Sequence, residues 1–210
     1  MTGKFFSSII LFSCLYAEIP LRPVSTYSIV ALDEETGQLG VAVQSHWFSV
    51  GTVVPWAKAG VGAVATQSIA EPSYGPKGLA LMEQGIPADE ALQSLLTKDL
   101  GATVRQIAMV DAQGNVGAHT GSRCISYASH STGKNYSVQA NIMAKSTVPA
   151  AMTQAFENTP GNLAERMLAA LDAAEAEGGD LRGRQSAAML VVSGEPTGDS
   201  WKDRIVDLAV

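Results

Sequence analysis

Aromatic residues, cysteines and clustered positive charge are scarce in this sequence, and each scarcity limits what the protein can be. Aromatics make up 6% of the 210 residues, so the apolar core has to come from Ala, Val, Leu and Met. The two cysteines, Cys14 and Cys124, give neither a disulfide framework nor a zinc-ligand spacing. The formal net charge is −6 and no basic cluster exists, so nucleic acid and anionic membrane surfaces are unsuitable partners.

The familiar catalytic motifs are also missing. The sequence contains no G-x-S-x-G elbow, no P-loop, no H-E-x-x-H pair and no glycine fingerprint for a dinucleotide after a strand. Its three histidines, His46, His119 and His130, have separations that match no standard metal site. A metal site made from these histidines, and a Ser–His–carboxylate triad using Ser45 or Ser186, remain as weaker hypotheses. We therefore expect no metal and no cofactor.

The first 25 residues differ from the rest of the chain. A short positive start precedes an apolar or small run over 5–16, which has the length of a signal-peptide core rather than of a membrane span. Pro20 and Pro23 then interrupt any helix, and no clean cleavage site follows. We expect 1–25 to be an export signal of a secreted or periplasmic protein, or else a disordered extension of a cytoplasmic one. Residues 26–210 then form a single domain, with no membrane contact beyond the export signal.

The stretch 26–68 predicts a sheet that is buried on both faces, because its strands are almost entirely apolar and its polar residues gather at their ends. Further along, apolar periodicity together with Pro and Gly signals divides the chain into helix pairs and strand groups. The polar segment 125–135 is predicted to be irregular. The predicted strands are 26–32, 39–45, 51–56, 60–68, 104–110, 115–119, 136–144, 185–192 and 204–210, and the predicted helices are 78–84, 88–99, 146–158 with Ser146 as its cap, and 162–177.

This order of elements predicts the α+β class. Helix pairs that alternate with strand groups favour a four-layer α/β/β/α sandwich with two mainly antiparallel sheets, since a doubly wound sheet would alternate strand and helix one by one. Sheets that end in exposed apolar edges tend to be covered, so we also expect a homo-oligomer.

Thr26, the first residue of the predicted domain, is the centre of the predicted site. A threonine at a mature N-terminus carries its own general base, an α-amine with a pKa of about 8, and so needs no triad. Lys58, at a strand end, is expected to return beside Thr26 and keep that amine deprotonated. The backbone of Gln67 and Ser68, just before the first helix, offers oxyanion donors. A threonine that opens a strand is also a plain β-former, and this interpretation stays open.

The same residues resemble a known family. The runs T-Y-S-I-V-A, L-G-V-A-V-Q-S-H-W-F, V-V-P-W-A-K-A-G-V-G-A-V-A-T-Q and G-G-D-L-R-G-R-Q-S-A-A are similar to domain of unknown function 1028, a mainly bacterial family, over about 26–210. The resemblance implies an N-terminal-nucleophile (Ntn) hydrolase-like fold, which is an α/β/β/α sandwich. It also implies an amidohydrolase-like scaffold for a small-molecule or peptide amide. In many members the threonine directly follows the initiator Met, so here cleavage after Ser25 is needed to free Thr26.

A second, weaker likeness is to the proteasome β-subunit pattern. The run V-A-V-Q-S-H here resembles V-A-A-D-S-R there, and Lys58 has a similar spacing. Gln44 stands where that pattern has an acid, so it cannot hold Lys58 by charge. This difference favours an alternative hypothesis, a non-catalytic ligand-binding or structural relative that kept the fold and lost the chemistry. The predicted catalytic residues are Thr26, Lys58, Ser45 and Gln44.

Polar residues near other strand ends complete the predicted substrate site. Gln139 and Asn141 lie on one side of their strand by its period of two. Arg184 can bind a carboxylate through two hydrogen bonds, or Asp180 and an arginine can form a salt bridge that supports the Gly-rich turn. His119 either caps a hairpin end or joins the site. The predicted substrate-binding residues are His46, Gln67, Ser68, His119, Asn141, Asp180, Arg184 and Gln185.

Overall fold

A computed structural model describes residues 26–210 as an α+β fold with two antiparallel sheets and four α-helices. The strands are β1 (Thr26–Leu32), β2 (Leu39–Ser45), β3 (Pro55–Lys58), β4 (Gly62–Ser68), β5 (Arg105–Asp111), β6 (Val116–Thr120), β7 (Ser129–Gly133), β8 (Tyr136–Asn141), β9 (Ser186–Val192) and β10 (Arg204–Ala209). The helices are α1 (Tyr74–Glu83), α2 (Ala88–Leu96), α3 (Val148–Asn158) and α4 (Leu163–Ala176), and two short 3-10 helices cover Val50–Thr52 and Ala102–Val104.

The two sheets pack face to face, and each carries a helix pair on its outer face. One sheet has the order β10-β9-β2-β1-β8-β7 and the other β3-β4-β5-β6. Alternation along β1 shows the layering: Tyr27 and Ile29 pack with residues of α3 and α4, whereas Val30 and Leu32 pack against the other sheet. On the far side, α1 and α2 cover β4 and β5. The predicted α+β sandwich with two antiparallel sheets is therefore confirmed.

Local signals explain where several elements begin. The side chain of Asn162 accepts the backbone N–H of Glu165, and Glu165 returns the bond to the backbone of Asn162, so α4 starts with a complete capping box. Helix α1 starts at Tyr74, four residues earlier than predicted, because Pro76 is tolerated in a first turn. Helix α3 starts at Val148 after Thr147, so the predicted cap at Ser146 is wrong.

Three strand predictions need correction. The expected strand 51–56 divides into a 3-10 turn and β3, which extends to Lys58. The segment 125–135, expected to be irregular, contains β7, whose polar residues suit an edge strand. The expected strand 136–144 stops at Asn141, because Ile142 has a left-handed backbone with φ of 58° and cannot continue a ladder.

The predictions made for residues 1–25, an export signal or a disordered extension, lie outside the described residues. Within residues 26–210, none of the helices has both the length and the apolar character that crossing a membrane requires.

Two glycines of α1 allow the helix to lie close to its sheet, and they provide a matched test of packing. A Cβ on Gly75 would lie 2.2 Å from the indole of Trp56, which is rigid, whereas a Cβ on Gly78 would meet the flexible end of Met109 at 2.7 Å. We expect Gly75→Ala to lower the free energy of unfolding by about 1–3 kcal/mol through overpacking. Gly78→Ala should be close to neutral, because the Met109 side chain can move and alanine favours a helix by about 1 kcal/mol.

Urea denaturation of both variants measures the difference. Equal effects of the two substitutions would show that the indole does not fix the distance between α1 and the sheet.

Candidate functional site

The layer between the two sheets changes from apolar to polar along its length. On β1, Val30 and Leu32 belong to the apolar part, whereas Ser28 and Thr26 face the same layer nearer the start of the strand. On β4 the same change occurs between Ala65 and Gln67. Eight fully buried polar residues form this end of the layer, which we call the inter-sheet network: Thr26, Ser28, Ser45, Gln67, Gln106, Ser137, Gln139 and Asn141.

The carbonyl oxygen of Thr26 is held by two side-chain amides that reach it from different sheets. Gln67 Nε2 on β4 donates to Thr26 O at 3.3 Å, and Asn141 Nδ2 on β8 donates to it at 3.4 Å. The same two amide groups also donate to Gln106 Oε1, at 2.7 Å and 2.9 Å. Because each amide serves both acceptors, the first residue of β1 is tied to both sheets by side chains as well as by its ladder.

Hydroxyl groups extend this arrangement along β1 and β2. Ser28 Oγ lies 2.6 Å from Gln67 Oε1 and 2.7 Å from the Gln139 amide. The contact atom of Gln139 is also its Oε1, and a hydroxyl carries one hydrogen, so Ser28 can donate to only one of these two amide oxygens at a time. Thr26 Oγ1 donates to Ser45 Oγ at 3.1 Å, directly across the pair of strands. The nucleophile predicted from the sequence and the predicted Ser45 therefore lie in contact.

The network reaches the outer edge of the sheets through Gln106. Its Nε2 donates to Ala140 O at 3.0 Å and to Thr120 Oγ1 at 2.9 Å. Thr120 Oγ1 in turn lies 2.8 Å from Nδ1 of His130, whose ring is partly exposed on β7. Partial burial lowers the pKa of His130, and the nearby His119 lowers it further. In its neutral form His130 can accept the Thr120 hydroxyl hydrogen at Nδ1 while Thr120 Oγ1 accepts from Gln106 Nε2.

Backbone strain marks both strand ends that border Thr26. Ser68 and Ile142, which directly follow Gln67 and Asn141, have left-handed φ values of 70° and 58°. For a β-branched residue such as Ile142 this conformation costs on the order of 1–3 kcal/mol and persists only where its surroundings hold it. The peptide N–H of Ile142 donates to Ile125 O and its carbonyl accepts from Leu181 N, each at 3.2 Å. Strain of this kind is common at ligand and catalytic sites.

Asn141 also carries an unused acceptor. Its Oδ1 is buried and has no hydrogen-bond partner among the described residues. Leaving such a group unpaired costs about 1–3 kcal/mol, so native proteins rarely keep one without a reason. The oxygen belongs to the same amide that holds Thr26 O, and it can accept an N–H or O–H group brought by another molecule.

Lys58 does not lie beside Thr26, and this part of the predicted site is wrong. Lys58 is half exposed and its Nζ forms an ion pair with Glu83 Oε1 at 2.6 Å. In the ladder of β3 and β4 it pairs with Gly62, whereas the network begins at Gln67. Five residues of strand separate Gly62 from Gln67, roughly 16 Å at 3.3 Å per residue. Lys58 and Thr26 thus occupy opposite ends of the sandwich.

Gln44 also lies apart from the network, because it faces the helix layer. It is the ladder partner of Tyr27, and neither atom of its buried amide has a described hydrogen-bond partner. The Tyr27 hydroxyl donates to Glu175 Oε2 at 2.8 Å. Burial and then this bond raise the pKa of Tyr27 far above its usual range. The predicted catalytic pair of Gln44 and Ser45 is therefore divided between the two faces of β2.

The Gly-rich turn near residue 180 forms a structural cluster. The buried carboxylate of Asp180 accepts the backbone N–H groups of His46 and Arg182, at 3.2 Å and 2.8 Å, and forms an ion pair with Arg182 at 3.3 Å. Asp180 and Arg182 thus form the salt bridge that supports the Gly-rich turn, one of the two interpretations offered by the sequence. Arg184 Nε pairs with Glu175 Oε1 at 3.3 Å while its side chain stays 74% exposed.

The remaining predicted residues lie outside the network. Gln185 is exposed, and the alternation of β4 places Ser68 on the same face as Val64, which packs against the helices. His46 Nδ1 contacts Gly183 O at 3.2 Å, and His119 Nε2 contacts Ala102 O at 2.8 Å. Within residues 26–210, no group of three or more His, Cys, Asp and Glu side chains is placed to hold a metal ion.

Four network residues were absent from the predicted site: Ser28, Gln106, Ser137 and Gln139. A signal for them exists in the sequence, since isolated polar residues at alternate positions of apolar strands have to face each other in a sandwich core.

The partial burial of His130 beside His119 predicts a dependence of stability on pH. The pKa of His130 is lower in the folded state than in the unfolded state, so the unfolded chain binds the proton more readily. The free energy of unfolding should therefore fall as the pH drops through about 6.5, and only weakly because the ring is partly exposed. Urea titrations between pH 5 and 8 measure this slope.

His130→Asn keeps an acceptor near the position of Nδ1 and removes the titration, so it should reduce the slope. His46→Asn is the matched control, since His46 follows β2 and its ring contacts Gly183 O instead of Thr120. If the pH dependence of the unfolding free energy stayed the same in His130→Asn, His130 would not be the group responsible for it.

Comparison with other proteins places the chain in a family. The family of unknown function DUF1028 matches residues 26–210, so the match begins at Thr26. The crystal structure of protein SPO2555 from Silicibacter pomeroyi, which also carries the DUF1028 family model, is similar with a TM-score of 0.79 and 32% sequence identity. This similarity covers 89% of the present chain and 78% of the other. No curated protein matches the chain. With its whole described domain matched, the chain belongs to the DUF1028 family.

Proposed function

We propose that this protein is an amide hydrolase of the Ntn type, whose nucleophile is Thr26 after removal of residues 1–25. The observation that carries the proposal is the attachment of Thr26: two side-chain amides converge on its carbonyl oxygen, and its hydroxyl contacts Ser45. A threonine that only begins a strand would need neither the two amide contacts nor the contact with Ser45. The beginning of the family match at Thr26 supports the same boundary.

The chemistry follows from a free Thr26 α-amine. The amine removes the hydroxyl proton as Oγ1 attacks the substrate carbonyl, and it then delivers that proton to the leaving nitrogen as the amide bond breaks. A water molecule, activated by the same amine, hydrolyses the resulting ester and restores the hydroxyl. In the uncleaved chain Thr26 is fully buried and its nitrogen is part of a peptide bond, so neither step is available. Cleavage between Ser25 and Thr26 is therefore the activating event in this proposal.

The surroundings of Thr26 favour an uncharged substrate. All eight residues of the inter-sheet network are amides or hydroxyls. A charged group brought among them would lose its hydration without gaining an opposite charge, which is strongly unfavourable. An amide N–H, in contrast, can donate to Asn141 Oδ1. We infer that the preferred substrate is a small neutral amide that presents an N–H group next to the bond to be cleaved.

The test begins with the mature terminus. Intact-mass measurement and N-terminal sequencing of the purified protein should show a chain that starts at Thr26. This chain should hydrolyse members of a panel of chromogenic amides, with neutral acyl groups preferred over charged ones. Thr26→Ala should reduce turnover at least about 10³-fold, because it removes the nucleophile. Thr26→Ser, which keeps a hydroxyl and an α-amine, is the matched control and should retain measurable activity.

A chain that keeps residues 1–25 under all expression conditions would rule out this mechanism. So would a correctly processed Thr26→Ala variant with wild-type turnover.

Binding without turnover is the second candidate. It is favoured by the absence of any Lys or Arg side chain from the inter-sheet network, and by the position of Lys58 at the far end of the sandwich. In this case the processed protein should bind neutral amides by calorimetry and leave them intact. Asn141→Leu should then weaken binding by roughly tenfold through loss of one hydrogen-bond acceptor, whereas Thr26→Ala should not.

A further inference from the structure

The outer edge of the six-stranded sheet is open at β10. This strand pairs with β9 on one side, and no described strand pairs with it on the other. Such an edge presents unpaired N–H and C=O groups and invites another strand. Its side chains are unusually apolar for an edge: Ile205 is 50% exposed and Leu208 is 64% exposed. A bulge between Arg204 and Val206 shifts the register with β9, so that Arg204 and Asp207 lie on the same face of the strand and pair with each other.

An apolar groove continues this surface onto the helix layer. Its volume is about 340 Å³, and it lies between α4 and the β9–β10 hairpin. Leu168 and Leu171 line it from the helix, and Met189, Val206 and Leu208 line it from the strands. Leu168 is 51% exposed. Exposed apolar residues scattered singly are ordinary, but a groove that joins an open strand edge is typical of an interaction surface.

We propose that β10 pairs with β10 of a second copy of this chain, so that the two six-stranded sheets form one continuous antiparallel sheet. The order of charges on the strand supports a second copy as the occupant. Arg204 and Asp207 are an ion pair within one chain. When two such strands run antiparallel about a two-fold axis between these residues, Arg204 of each copy lies opposite Asp207 of the other. The edge is therefore complementary to itself, as a two-fold interface requires.

The same axis brings the apolar surfaces together. The pairing places the helix layers of both copies on one side of the sheet, so the two grooves lie side by side along the axis. Leu168 and Leu208 of each copy are then covered by the α4–β10 surface of the other. Trp201, which is 72% exposed, precedes the strand and approaches the far end of the partner's edge at Val210. A strand of another protein could pair with the free N–H and C=O groups of β10, but only a second copy provides the acid opposite Arg204 and the base opposite Asp207 by symmetry.

Sedimentation velocity of the full-length chain over a range of concentrations tests the proposal. We expect a species of twice the 21.9 kDa chain mass that dissociates on dilution. Leu208→Glu should raise the dissociation constant by roughly 100-fold or more, because it places a charge in the covered groove. Leu100→Glu, at a fully exposed leucine outside the groove, is the matched control and should leave association unchanged.

Charge reversal tests the register. Arg204→Asp should weaken the dimer, because an aspartate of each copy then lies opposite Asp207 of the other copy. The double variant Arg204→Asp with Asp207→Arg should restore the dimer, because opposite charges face each other again. A wild-type chain that stays monomeric at tens of micromolar, on the order of many transient dimers' dissociation constants, would overturn the proposal. A dimer that is insensitive to Leu208→Glu would also overturn it, since another surface would then be responsible. Circular dichroism of each variant separates loss of pairing from loss of folding.

Discussion

The structure depends on the satisfaction of buried polar groups between two sheets. Most of the layer is filled by Val and Ala, but at one end eight amide and hydroxyl side chains are buried away from bulk solvent and need hydrogen-bond partners. Shared donors satisfy much of this need, since Gln67 Nε2 and Asn141 Nδ2 each donate to both Thr26 O and Gln106 Oε1, whereas Asn141 Oδ1 has no partner among the described residues. Because Gln67 and Gln106 lie on one sheet and Asn141 and Thr26 on the other, these bonds fix how the sheets sit on each other. Apolar packing alone would allow many nearby arrangements.

This constraint also explains the chemistry that the site can and cannot support. A network of neutral groups holds a backbone with precision but provides no proton acceptor of its own. Among residues 26–210, the candidate base at Thr26 is its own nitrogen, which is why the proposed activity requires a cleaved chain. The ion pairs near the two ends of the sandwich, at Lys58 and at Arg184, involve exposed side chains, and such pairs are weak. They stabilise turns and helix contacts without taking part in the network.

Much of the fold could be predicted from the sequence, because its strong signals are local. The apolar strands 26–32 and 39–45, the capped helix α4 and the alternation of helix pairs with strand groups were sufficient for the α+β sandwich. The failures have a common physical origin in non-local contacts. Strand β7 is polar because it lies at an edge, and Lys58 is remote from Thr26 because β3 pairs with the far end of β4. Sequence spacing reports how far apart residues are along the chain, not which end of a strand they occupy. The structure brings Thr26, Ser45, Gln67 and Asn141 together, because all four lie where a strand starts or stops.

The alternation of β8 has a consequence for how its register is specified. Ser137, Gln139 and Asn141 face the network, and Tyr136, Val138 and Ala140 face α3 and α4. A slip of one residue would exchange the two sets, placing three apolar groups among unsatisfied amides and three amides under a helix. Both faces of this strand are buried, so ordinary amphipathic patterning cannot tell one face from the other by exposure to water. The inter-sheet network therefore fixes the register of β8 in the six-stranded sheet. The left-handed backbone of Ile142 prevents the strand from extending one residue further.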